Sequence, residues 1–141
     1  MSNCAAIREW YEEVWNKREA SAITRMLTPD AVIHGLAQGG GDLNGPAGFL
    51  QFHRAFTSAF PDLRVEVEDA IEEGDRVAMR FTATGTHSGD GLGFPATNRT
   101  MRVTGMTIAR VSGGKFAEGW NVFDALGMMQ QLGVAPRGDA W

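Results

Sequence analysis

Apolar side chains recur at Ile7, Trp10, Tyr11, Val14 and Trp15, the i, i+3, i+4, i+7, i+8 spacing that keeps one helix face apolar. The spacing predicts an amphipathic helix over residues 3–18. A second, short helix is expected next, capped by Ser21 and running to about Leu27, since serine accepts a hydrogen bond from the first free N–H groups. Pro29 forbids its continuation, because the residue before a proline is pushed away from helical angles. Ala31 to Leu36 reads as a short strand, broken by Gly39, Gly40 and Gly41. Gly45-Pro46 opens a third helix, with proline at the first helical position, where its missing N–H costs nothing. Phe49, Phe52, His53, Phe56 and Phe60 form the inward stripe of that helix, and Pro61 ends it.

The period then changes from a helical one to two. Leu63, Val65 and Val67 alternate with Arg64, Glu66 and Glu68, the mark of a half-buried strand. Glu73-Gly74-Asp75 makes a hairpin turn into a long strand over residues 76–87. A glycine-rich stretch with Pro95 follows and is expected to form a flexible rim. Thr100 to Val111 is another long strand, interrupted by Gly105, and Ser112-Gly113-Gly114 turns it into a last strand ending near Phe123. Ala125 to Leu132 closes the chain as a helix, stopped by Gly133. Long strands with internal glycines bend strongly. The order predicts an α+β fold: a strongly curved mixed or antiparallel sheet, cone-shaped, with three helices in the N-terminal half enclosing a pocket and a short C-terminal helix. The pocket mouth is expected near the end of the last strand. Met106, Trp120 and Val122 fall on the opposite face of the sheet, where a homodimer contact is expected.

Composition narrows the partners more than the fold. The 141 residues suit a single domain, and a net charge of -4 leaves no basic excess for nucleic acid. Cys4 is the one cysteine, so no internal disulfide forms. No apolar run approaches the ~20 residues that span a bilayer, and no apolar leader precedes the first charges. The expectation is a cytoplasmic protein with no membrane partner, in which the Asn98-Arg99-Thr100 sequon has no force.

The candidate chemistry gathers where the last strand hands over to the closing helix, at Trp120, Asn121 and Asp124. Asp124 is either a general base, its pKa raised in a dry pocket, or the cap of the closing helix. His53 lies on the inward stripe of the third helix and titrates near neutrality, unless it is a hydrogen-bonded core residue. His34 shares a strand face with Val32 and Leu36 and is expected to look into the cavity, and His87 is placed at the mouth. The spacing of these histidines matches no metal-ligand motif, and no metal site is expected. Arg80, Thr82 and Thr84 share one strand face, either the polar wall of the pocket or its outer surface. Trp10, Phe56, Met79, Phe81, Met106 and Met128 supply apolar surface, either core packing or the walls of a pocket for a flat apolar ligand.

The element order, the segment GTHSGDGLGFPATNR (residues 85–99) and the ending GGKFAEGWNVFDALGMMQQLG (residues 113–133) resemble the SnoaL-like polyketide cyclases. These are ester cyclases of the nuclear transport factor two-like superfamily of curved α+β cones. The resemblance implies cofactor-free ring closure by intramolecular aldol condensation of a polyketide ester, with an aspartate near the end of the last strand as general acid/base. Matching the Gly-Lys turn and the Gln-Leu-Gly ending puts that aspartate on Asn121, and the family's histidine on Thr107. An amide does not take up a proton at neutral pH, although it hydrogen-bonds an enolate oxygen. The expectation is therefore a proton-transfer enzyme with Asp124 or His53 as base beside Asn121. His34, Trp10, Phe56, Thr107 and His87 would contact a hydrophobic small molecule, with no cofactor. The alternatives are a small-molecule-binding module of the same fold, a hydroxylase-type member, or an epoxide-hydrolase-like member needing an Asp-Arg-Asp set that the sequence does not assemble.

Overall fold

The computed structural model describes residues 1–136. Helix α1 (Asn3–Trp10) starts at Ser2, whose hydroxyl accepts from the Ala5 N–H at 3.0 Å. The apolar stripe continues beyond Trp10, but the winding does not: Tyr11–Asn16 is a π-helical segment, the wider turn that recurs at functional sites. The single helix expected over residues 3–18 is thus α-helical only in its first half. Arg18, at φ 56°, terminates it, and Glu19 is already extended. That break moves the next start forward. Helix α2 (Ala20–Met26) begins after Glu19, and Ser21 lies inside its first turn rather than capping it.

Strand β1 (Leu27–His34) follows without a loop and begins four residues earlier than the expected Ala31. Pro29 is tolerated because the pairing slips there: Leu27 faces Phe116, and pairing resumes only at Val32 opposite Glu118. A three-residue strand, β2 (Asp42–Asn44), turns back on the end of β1; it is too short to carry a period. Helix α3 (Gly45–Ala59) comes next, then β3 (Arg64–Glu73), β4 (Arg76–Thr86), β5 (Thr100–Ser112), β6 (Lys115–Phe123) and α4 (Ala125–Gln131). The sheet order is β2-β1-β6-β5-β4-β3. The expected antiparallel meander is there, β1 joins it parallel to β6, and the open sheet is mixed. The fold is α+β.

Inward residues of the sheet, among them Val65, Val77, Met79, Val103, Ala109 and Phe116, pack against Ile7, Trp10, Val14, Phe49 and Phe60 of the helices and the turn after α3. Gly105 lets β5 bend over this core: a side chain there would overlap the Phe81 ring and the Val122 carbonyl. Register breaks at Val67/Asp69 and Arg110/Val111 add to the bend. The exposed edge of β3 is closed by side chains. Asn16 donates to the Val65 carbonyl at 2.9 Å and accepts from the Val65 N–H at 2.7 Å, as a further strand would. The glycine-rich segment is tied down at both ends. The Asn98 N–H bonds the His87 carbonyl at 2.8 Å, and the Ser88 and Gly89 N–H groups bond the Ala59 carbonyl at 3.1 Å. No helix among the described residues is long and apolar enough to cross a membrane.

Candidate functional site

Between the helices and the concave sheet lies a cavity of about 70 Å³, walled by Tyr11, Trp15, Phe52, Phe56, Phe81, Met101 and Met128, with Asn121 also in its lining. Behind it, a second hollow of about 40 Å³ shares Tyr11, Trp15, Leu36 and Asn121 and adds Trp10, Phe49, Phe116 and Thr107. Both linings are almost wholly apolar, so the few polar groups they share decide what the site does.

Those groups form one chain. Asn121 Nδ2 donates to the His34 backbone carbonyl at 3.0 Å, which turns Oδ1 toward Thr107. The Thr107 hydroxyl donates its single proton to that oxygen at 2.7 Å. Tyr11 lies 3.0 Å from the same hydroxyl oxygen, so with the threonine proton already spent the phenol is the donor. Burial pushes the Tyr11 pKa up to about 12, outweighing the hydrogen bond to Thr107. Every member is neutral at physiological pH. Open to a ligand are the second N–H of Asn121 and lone pairs on Asn121, Thr107 and Tyr11. Tyr11 was legible in the sequence only as part of an apolar helix stripe; in the structure it is the first residue of the π-helical turn and lines both hollows.

The other expected site residues divide. Trp10 lines the rear hollow, edge-on to Phe49 and Phe116 with ring centroids 5.1 and 6.0 Å away. Phe56 lines the main cavity between Phe52 and Phe123. Asp124 is the N-cap of α4: its side chain is exposed and accepts from the Gly127 N–H at 2.8 Å. Of its two readings, the cap is the one the geometry displays. His53 is buried, tilted against Trp15 with ring centroids 5.0 Å apart, and bonds the Val14 carbonyl at 2.7 Å. Burial lowers its pKa, and neither hollow reaches it.

His34 is a correction. Its ring lies on the outer face, stacked on Trp120 at 5.7 Å, because Leu27–His34 pairs with β6 so that His34 stands opposite Trp120; only its carbonyl serves the cavity. His87 is another: it is fully buried between Phe60 and Phe94, lines neither hollow, and accepts from the Thr97 N–H through Nδ1 at 3.1 Å. The three histidines thus go to three separate places, and no cluster of three or more metal-binding side chains occurs among the described residues. Arg80 faces outward and pairs with Asp69, which settles the face of its strand that the pattern left open. The one carboxylate bordering either hollow, among the described residues, is Glu118. His34 and Arg110 bond it at 2.8 and 3.5 Å and hold it below the usual carboxylate range.

Comparison with known proteins converges on one family. The SnoaL-like polyketide cyclase model matches residues 5–132. Among solved structures, IdmH from Streptomyces antibioticus, a proposed polyketide cyclase, is 32% identical with a TM-score of 0.79, covering 92% of this chain and 97% of its own. AclR from Streptomyces galilaeus, a proposed hydroxylase, is 28% identical with a TM-score of 0.83, covering 99% and 91%. A SnoaL-like protein from Jannaschia, 23% identical with a TM-score of 0.82 over 97% and 98%, shows the shared fold. Among curated proteins none matches. The match along nearly the whole sequence and the cone-shaped fold agree: this chain belongs to the SnoaL-like polyketide cyclase family.

Proposed function

We propose that this protein binds a hydrophobic small molecule in the cone and orients one of its carbonyl or enol oxygens on Asn121, with no base of its own at that point. The observation that carries this reading is the Tyr11–Thr107–Asn121 chain, in which both hydroxyl protons and one amide N–H are committed, one amide N–H is left for a ligand, and no member titrates near neutrality. A carbonyl oxygen against Asn121 receives the second amide N–H, a contact that strengthens as charge develops on that oxygen. The relatives support the ligand class: one is a proposed polyketide cyclase and another a proposed hydroxylase.

The test is binding of an anthracycline-type polyketide methyl ester, followed by quenching of tryptophan fluorescence, with the ester then recovered and examined. Saturable binding and unchanged ester are expected, and Asn121→Leu weakens binding about tenfold, the loss of one hydrogen bond of ~1.4 kcal/mol. Equal binding by Asn121→Leu would remove the amide from the account. The second reading, general acid/base turnover through Asp124 or His53, draws support from the position of Asp124 one residue past Phe123 in the cavity wall. It requires turnover that Asp124→Asn or His53→Ala abolishes while the fold survives.

The outer face bears on the assembly. Ile71, Met106, Ile108 and Val122 stand 45–72% exposed on it, an apolar patch that supports a homodimer through the sheet.

A further inference from the structure

We propose that His34, clamped as an imidazolium between Asp42 and Glu118, is the positioning residue for Asn121: it locks the strand end whose carbonyl aims the amide, and loss of its proton releases that aim. The inference rests on the reading above that Asn121 is the ligand-orienting group.

The clamp spans three strands. His34 ends β1; its Nδ1 lies 2.7 Å from Asp42 Oδ1 on β2, and its Nε2 lies 2.8 Å from Glu118 Oε2 on β6. Carboxylates on both ring nitrogens require a donor at both, which only the imidazolium supplies. The ring also lies nearly parallel to Trp120, at 27°. While the side chain reaches sideways on the outer face, the backbone of His34 and of the next residue lies against Asn121. The His34 carbonyl accepts from Asn121 Nδ2 at 3.0 Å. Gly35, at φ 88°, sits so close to the Asn121 carbonyl that a side chain there would overlap it. A shift of the end of β1 therefore moves the acceptor that fixes the Asn121 amide.

The charges facing His34 are Asp42 from β2, Glu118 from β6 and two arginines. Arg110 on β5 reaches Glu118 at 3.5 Å, and Arg76 on β4 lies over the Trp120 ring at 5.2 Å. The carboxylates touch the ring and the arginines do not, so the hydrogen bond to Glu118, then that to Asp42, raises the His34 pKa above its ordinary value. The contribution of His34 is full below the ordinary histidine range and fades as pH rises through the raised value. Glu118 is lowered, first by His34, so its share fades as pH falls through its lowered value. Between these limits the clamp is closed. Once deprotonated, one ring nitrogen points a lone pair at a carboxylate. The tie to β2, a three-residue edge strand, is the weaker attachment to give way.

Nuclear magnetic resonance on the ligand-free full chain tests this by following the His34 ring and the Asn121 side-chain amide across pH. His34 is expected to titrate above the free value of ~6.5, and the Asn121 amide resonances to move with the same midpoint. Asp42→Asn should lower both midpoints together, and Glu118→Gln likewise if Asp42→Asn fails to fold. His34→Gln should leave the Asn121 amide without that transition. An Asn121 amide that ignores the His34 titration, or midpoints that separate in the variants, overturns the proposal. Because the readout needs no ligand, that result would leave the binding reading standing. Coupled titration in a protein that binds no ester would do the reverse.

Discussion

Tyr11, Thr107 and Asn121 set the chemical character of the cavity through which protons they hold. Tyr11 is the one tyrosine in the sequence, so its ionisation is directly visible by ultraviolet absorption. A midpoint near 12 is expected, against ~10 for a free phenol; a midpoint at the free value would mean that the buried chain does not form. At the other end of the site, Asp124 bonds the Gly127 N–H. Asp124→Ala should cost about 1 kcal/mol and lower Tm by about 3 °C, while Asp124→Asn keeps the cap and most of that stability. Thermal unfolding distinguishes the two; equal loss in both would point to a role for the charge itself. At this scale the sequence read well where a residue's neighbours in the chain decide its contacts, as at the Asp124 cap. It read poorly where strand pairing decides. Nothing local places the His34 ring beside Trp120 or the Tyr11 hydroxyl against Thr107, which lies 96 residues away.

The elements explain how such residues come together. The apolar stripe from Ile7 to Trp15 foretells the helix, but the switch from α to π winding at Tyr11 leaves no mark in the spacing. Likewise β2 has three residues, fewer than any period needs, and the start of β1 was hidden because Pro29 reads as a breaker. The sheet supplies the slip in register that makes Pro29 harmless. The long strands with internal glycines were legible, and Gly105 shows why glycine matters there. Gly105→Ala would drive a methyl group into the Phe81 ring and the Val122 carbonyl. A loss of about 2–4 kcal/mol in denaturant unfolding is expected, and a neutral result would mean that β5 does not bend as described. Asn16→Ala exposes the edge of β3 by removing both bonds to Val65. It should cost about 1–3 kcal/mol, with faster hydrogen exchange at the Val65 amide; unchanged exchange there would show that the edge is covered by something else.

At the scale of the whole molecule, two faces of one sheet do different work. The concave face, closed by helices, holds the cavity; the convex face leaves Met106 and Val122 exposed. A dimer through the convex face makes Tm depend on protein concentration. Val122→Glu should convert the sedimentation coefficient to that of a monomer, and an unaltered protein that sediments as a monomer throughout would refute that assembly. The family and the α+β cone were readable from element order and the closing motif because both depend on long periodic segments. The chemistry was less so, since the hydrogen-bonded chain that Asn121 and Thr107 form with Tyr11 is visible only in the structure. The most direct test is turnover of the anthracycline-type polyketide methyl ester by the protein as it stands and by Asn121→Asp. The account expects the unaltered protein to bind the ester and return it unchanged, while the aspartate variant closes the ring. Ring closure by the unaltered protein would contradict it, and would place the base elsewhere in the cone.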